Sequence, residues 1–270
     1  MSTFINLGLI SLDKRLSEVQ LIIEEAKANF EVKDLLYKAL CRSAQVLLSA
    51  HFEGYLKDLV KNSLDDINMY SSFKNSNIFL KKRLCEYFIT TMKEEKPSKE
   101  NHLKTKELIN VFDNLETKFK REYFFYTENQ NPKASVLDKI AEQFGVKDFF
   151  KQLKKSNLDL IFSNTNAENV LVCISIKNYL LETTDNYPFT TTLDFLEIDD
   201  LKIASDNLWD AFLSNLLKRR HDIAHGTEID NSAGHATIEE DKVKVQILMY
   251  AFTAFICTMV NPVIPGTNEA

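Results

Sequence analysis

The chain has 270 residues, of which 44% are hydrophobic and 27% charged, and carries a net charge of −6. This composition allows one large core or two small ones, and the negative balance argues against a protein that coats itself in nucleic acid, which requires clustered Lys and Arg. Six Gly and five Pro are too few to punctuate a turn-rich β architecture, so an all-α fold is expected.

In chain order, residues 11–29 predict an amphipathic helix with Leu12, Leu16, Val19, Ile23 and Ala26 on one stripe. Residues 31–68 predict a long helix on which Leu36, Leu40, Ser43, Leu47, Ala50 and Gly54 share a face. A helix over 76–95 ends before Pro97, and Ser98 reads as the N-cap of another running to about Tyr123. Asn129 to Pro132 reads as a loop, followed by short helices near 134–144 and 146–155. Residues 156–200 are the least legible: Val170 to Leu181 fits helix or strand, and Asn186-Tyr187-Pro188 is a turn. Residues 201–225 predict a helix, and the last one starts at the capping-box string Thr237-Ile238-Glu239-Glu240 and ends at Asn261-Pro262.

Cys41, Cys85, Cys173 and Cys257 lie far apart, so no thiolate metal knuckle is expected. The opening MSTFINLGLISLDKR lacks the features of a signal peptide, which points to the cytoplasm. Val245 to Val260 is nearly all apolar, but its about sixteen residues fall short of the roughly twenty that span a bilayer. A buried core or dimer helix is expected there, with no membrane. The basic clusters at Lys81-Lys82-Arg83, Lys118 to Arg121 and Lys154-Lys155 read as solvated helix faces.

Chemistry concentrates at Arg220-His221-Asp222-Ile223-Ala224-His225-Gly226. At about 100° per residue, Arg220 falls within the apolar arc set by Leu213, Leu216 and Leu217, Arg219 lies at its edge, and His221 and His225 share the polar side. A guanidinium on a buried face needs an anion, either a carboxylate from another helix or a substrate phosphate. Gly226 marks the helix end, placing His225 as a capping histidine or a reactive one where the macrodipole attracts cations.

This string resembles the R-polar-x-x-x-H signature of HEPN domains. Ala50-His51-Phe52-Glu53-Gly54-Tyr55-Leu56-Lys57 resembles the A-H-x-E-G-aromatic-x-K string of a prokaryotic branch near the RiboL-PSP type. The resemblance covers about residues 10–262. It implies a single HEPN-like helical bundle over 1–270, with helices inserted at about 75–200. It further implies a homodimer with a composite active site that cleaves RNA without metal or other cofactor. His225 would be the general acid or base, Arg220 the phosphate clamp and His221 an orienting group. Arg219, Glu53 and Lys57 are candidate substrate contacts. Asp222 has no assigned role, and for Glu53 and Lys57 the plain alternative is an i,i+4 ion pair. The implied role is a toxin or antiviral defence effector, with room for an antitoxin or regulatory partner. The alternative is an inactive HEPN binding or dimerisation module.

Two metal readings compete. His221 and His225 are spaced like the zinc ligands of H-E-x-x-H, with His235 or an acid as third ligand. His221-Asp222 also resembles an HD phosphohydrolase core, but the nearest upstream histidine, His102, is too distant.

Overall fold

A computed structural model describes residues 2–90, 99–124, 131–197, 208–226 and 233–263. Among these, the regular structure is helical: α1 (Phe4–Ala28), α2 (Asp34–Tyr70), α3 (Ile78–Thr90), α4 (Lys99–Phe112), α5 (Ala134–Phe144), α6 (Phe149–Lys155), α7 (Asn166–Thr183), α8 (Leu208–Ala224) and α9 (His235–Val260), with short 3-10 turns between. The all-α expectation holds.

Helices α1 and α2 form a long antiparallel hairpin. The α1 stripe begins earlier than the sequence suggested, with Ile5, Leu9, Leu12, Leu16, Val19, Ile23 and Ala26 all buried at alternating steps of four and three. Two devices hold its N-terminus. Thr3 is the N-cap, its hydroxyl accepting from the Asn6 N–H at 3.1 Å. Asp66, fully buried at the far end of α2, accepts from the N–H groups of Phe4 and Ile5 at 2.7 and 3.0 Å. These first-turn donors have no intrahelical partner, and the helix dipole favours a carboxylate beside them. Asp66→Ala is expected to destabilise the fold by about 1–2 kcal/mol, read as a lower urea midpoint at unchanged slope.

Helix α9 is the axis of the bundle. From Val245 to Cys257 every apolar residue is buried, against α1, α2, α5 and α7. It is the one helix among the described residues long and apolar enough to cross a membrane, and most of it is buried inside the protein. Its apolar surface is therefore covered within one chain and needs no dimer contact. The helices between 75 and 200, read as an insertion, share that core: Phe149 of α6 packs edge-on against Phe252 and Phe255 at ring distances of 5.0 and 5.1 Å.

Several local expectations change. The ambiguous Val170 to Leu181 stretch is helical, within α7, which starts with a true capping box between Thr165 and Glu168. The box predicted at Thr237 is absent, because α9 starts two residues earlier, after Gly234. Helix α4 stops at Phe112 instead of reaching Tyr123. Beyond it the Asn68 amide bonds both the N–H and the carbonyl of Phe119, at 2.9 and 2.7 Å, holding that segment extended. Lys81 is not a solvated face residue: it is buried and paired with Asp113 at 2.8 Å. The expected Ser98 N-cap and residues 201–207 of the expected 201–225 helix lie outside the described residues.

Candidate functional site

Helix α8 is anchored by Trp209, Leu213, Leu216 and Leu217, all buried, with Trp209 packed edge-on against Phe162 at 5.0 Å. The same register sets the orientation of the Arg220 to His225 segment. The helix ends as the sequence indicated: the Gly226 N–H reaches the Ile223 carbonyl at 3.2 Å, with Gly226 in the left-handed region at φ 65°. Only glycine adopts that conformation without strain, so the end of α8 is fixed immediately after His225.

The two arginines part company. Arg219 forms an ion pair with Asp241 of α9, whose side chain is only 8% exposed. Burial pushes the Asp241 carboxyl up to about 6, while the Arg219 guanidinium pulls it back down. The buried-carboxylate partner considered for Arg220 is therefore found for its neighbour. Arg220 is half-buried, and its recorded contact is a long 3.4 Å hydrogen bond donated to the side-chain oxygen of Asn131, just before α5. Among the described residues, no carboxylate lies within ion-pair distance of Arg220.

His221 and His225 are both exposed, one turn apart, with ring centroids 4.2 Å from one another. Asp222, between them in sequence, turns to Lys218 at 3.4 Å. His235, the third ligand considered for zinc, instead packs on Phe30 and Tyr37, its Nδ1 3.2 Å from the Tyr37 hydroxyl. Among the described residues, no three His, Cys, Asp or Glu side chains are grouped to hold a metal ion.

Beside the motif, α1, α2 and α8 enclose an open hollow of about 610 Å³, lined by Ile22, Arg42, Ser43, Val46, Ala50 and Ile223 among others. Ile223 is the one α8 residue in its lining, and Arg220, His221 and His225 do not line it. Its α2 wall is part of the face that the sequence picked out as a stripe. On that stripe Leu36, Ser43 and Ala50 are exposed, while the core face of α2 carries Cys41, Ala44, Leu48, Phe52, Leu56 and Leu59.

The second string lies further along α2. Glu53 and Lys57 pair with each other at 2.7 Å, the ordinary i,i+4 ion pair. Neither lines the hollow, and Lys57 stands about 10 Å beyond Ala50 along the helix. His51 hydrogen bonds Glu18 of α1 at 3.2 Å. At Gly54, a Cβ would meet the Arg15 guanidinium at 3.2 Å, so the missing side chain serves the close approach of α1. His51 and Gly54 thus serve the α1–α2 hairpin. Arg42, Asn131 and Asp241 were missed by sequence reading. For Arg42 the available signal was its place beside the stripe, while Asn131 and Asp241 reach α8 only through tertiary contact.

A wholly helical fold among the described residues fits the HEPN domain, which is helical. Comparison with protein families agrees: the family described as RiboL-PSP-HEPN matches residues 10–258, and the chain belongs to it. No curated protein and no solved structure matches the chain. Family membership makes a nuclease or other RNA-related function the starting point for this site.

Proposed function

We propose that the protein is a metal-independent endoribonuclease that acts through Arg220 and His225, as a toxin or antiviral defence effector. The observation that carries this reading is the half-buried Arg220 guanidinium, without a carboxylate within ion-pair distance among the described residues, at the same helix end as two exposed imidazoles. A desolvated guanidinium suits a phosphodiester, to which it donates two parallel hydrogen bonds, and its attraction grows as charge accumulates on the oxygens in the transition state.

The chemistry needs no outside reagent. The ribose 2′-hydroxyl attacks the adjacent phosphorus, its proton passes to a base, the bond from phosphorus to the 5′-oxygen breaks, and an acid protonates the leaving oxygen. The products are a 2′,3′-cyclic phosphate and a 5′-hydroxyl. His225 serves as one of the proton-transfer groups, and His221, one turn away, orients the phosphate. Two copies meeting at the ends of their α8 helices would supply the second imidazole, which makes a homodimer part of the proposal.

The test is incubation of purified protein with total RNA in EDTA. Cleavage is expected to persist, to yield 2′,3′-cyclic ends and to vanish in His225→Ala. Cleavage that EDTA abolishes and zinc restores would overturn the mechanism. Absence of cleavage in either condition would favour the inactive binding or dimerisation module. RNA carrying 2′-O-methyl groups should be inert, because the attacking nucleophile is blocked. Comparable cutting of single-stranded DNA would contradict the role of the 2′-hydroxyl.

A further inference from the structure

Resting on the ribonuclease reading, we infer that Asn131 is a positioning residue for the same site: its side-chain amide holds the Arg220 guanidinium in the pose that meets the phosphate, without neutralising its charge. Three observations lead there.

The first is placement. Helix α5 packs against α8, and Asn131, just before α5, reaches the end of α8 that carries the motif. Its side-chain oxygen accepts from Arg220 Nη1 at 3.4 Å. Asn131 is itself held in place: Pro132 beside it is buried, and the Asn131 carbonyl accepts from the Lys133 N–H at 2.7 Å. An arginine side chain has several rotatable bonds, and ordering one only when a ligand arrives weakens binding by about twofold to tenfold. A holder on a fixed backbone orders it beforehand.

The second observation is the chemistry of the partner. Arg219, one residue earlier on the same helix, meets the carboxylate of Asp241. Such an ion pair occupies the charge and the parallel donors that a phosphodiester needs. Arg220 instead meets a neutral amide, which takes one of five N–H donors and leaves the positive charge whole. The third observation is burial. A half-buried guanidinium with a single long bond to a neutral group is short of anionic partners, and an incoming phosphate supplies what is missing. The neighbouring acid does not compete, because Asp222 turns to Lys218 at 3.4 Å.

The experiment uses the full chain with cleavable RNA, and with a fully 2′-O-methylated single-stranded RNA whose binding is followed by fluorescence anisotropy. Asn131→Ala removes the holder. Asn131→Asp keeps its shape but sets a carboxylate within ion-pair reach of Arg220. Asn131→Ala is expected to lower kcat/KM by about threefold to tenfold, and Asn131→Asp by about thirtyfold or more. Yet Asn131→Asp should melt no lower than Asn131→Ala, because the new ion pair does not harm the fold. In Asn131→Asp the slope of log Kd against log salt should fall by about one, as for loss of a single phosphate contact, while Asn131→Ala keeps the wild-type slope. A residue that served the fold alone would give the opposite order, with the isosteric Asn131→Asp cutting better than Asn131→Ala at an unchanged slope. If wild type cuts RNA and Asn131→Asp cuts within about threefold of it, or better than Asn131→Ala, the inference is overturned while the ribonuclease reading stands. If wild type never cuts, the ribonuclease reading fails and the binding arm decides the inference: no binding of the analogue, or equal salt slopes in wild type and Asn131→Asp, overturns it.

Discussion

Arg220→Ala is expected to melt within about 2 °C of the wild type and to lose RNA cleavage by a factor of roughly 100 to 1,000, whereas Arg219→Ala should cut RNA yet melt about 5–10 °C lower. The two neighbours differ in what they face. Arg220 makes one long contact to Asn131, so its truncation costs the fold little. Arg219 neutralises Asp241, and removing it leaves a carboxylate in a largely buried site. Breaking such a pair costs about 3–5 kcal/mol when both partners are buried. With the Arg219 side chain 26% exposed, about 2–4 kcal/mol is expected.

The Arg219 effect carries a pH signature. The folded-state carboxyl of Asp241 titrates near 6, above its unfolded value, so the native state binds the extra proton and its charged form is the costly one. Loss of Arg219 raises that folded pKa further. The destabilisation should therefore be full only above that raised pKa, shrink as the pH falls from it toward 6, and vanish below 6, where Asp241 is protonated in both proteins. Thermal melts of wild type and Arg219→Ala at pH 5 and pH 8 read this directly. A penalty that grows on acidification would show that the pair does not hold α8 to α9.

How far the sequence could be read depended on whether each helix has one wet side. Helix α1 does, and five of its seven core positions followed from periodicity alone. Helix α7 does not: Cys173, Ile176 and Leu180 are buried, but Leu171 and Ile174 are 68% and 49% exposed, so no clean period emerges. Its legible signal was the Thr165 to Glu168 capping box. Helix α2 misled in another way, being apolar on two sides; the stripe from Leu36 to Ala50 carries the open wall of the hollow, and packing of α1 and α9 selects the other face. At the motif, the helix end at Gly226 and the pairing of the two imidazoles followed from local rules. The division of labour between Arg219 and Arg220 did not. One residue is a turn of about 100°, and which side meets Asp241 is set by the docking of α8 against α9.

The same geometry bears on the composite site. His221 and His225 sit on one side of one helix with their rings 4.2 Å apart, so within one chain both approach a phosphate from the same direction. In-line displacement places the attacking and leaving oxygens on opposite sides of the phosphorus, so a base is needed on one side and an acid on the other. In the proposed dimer, a two-fold axis near the end of α8 would bring a second imidazole to the far side. The dimer has lost one argument, since α9 is covered by its own chain, and it now rests on the exposure of this helix end. The consequence is measurable. When inactive His225→Ala protein is added to a fixed amount of wild type with subunit exchange allowed, only wild-type pairs should cut. Random pairing then leaves about half the activity at an equal amount of the variant and about a quarter at a threefold excess. Independent protomers would keep full activity at every ratio. A protein that sediments as a monomer at micromolar concentration and still cleaves RNA would place both proton transfers within one chain, with His221 as the partner of His225.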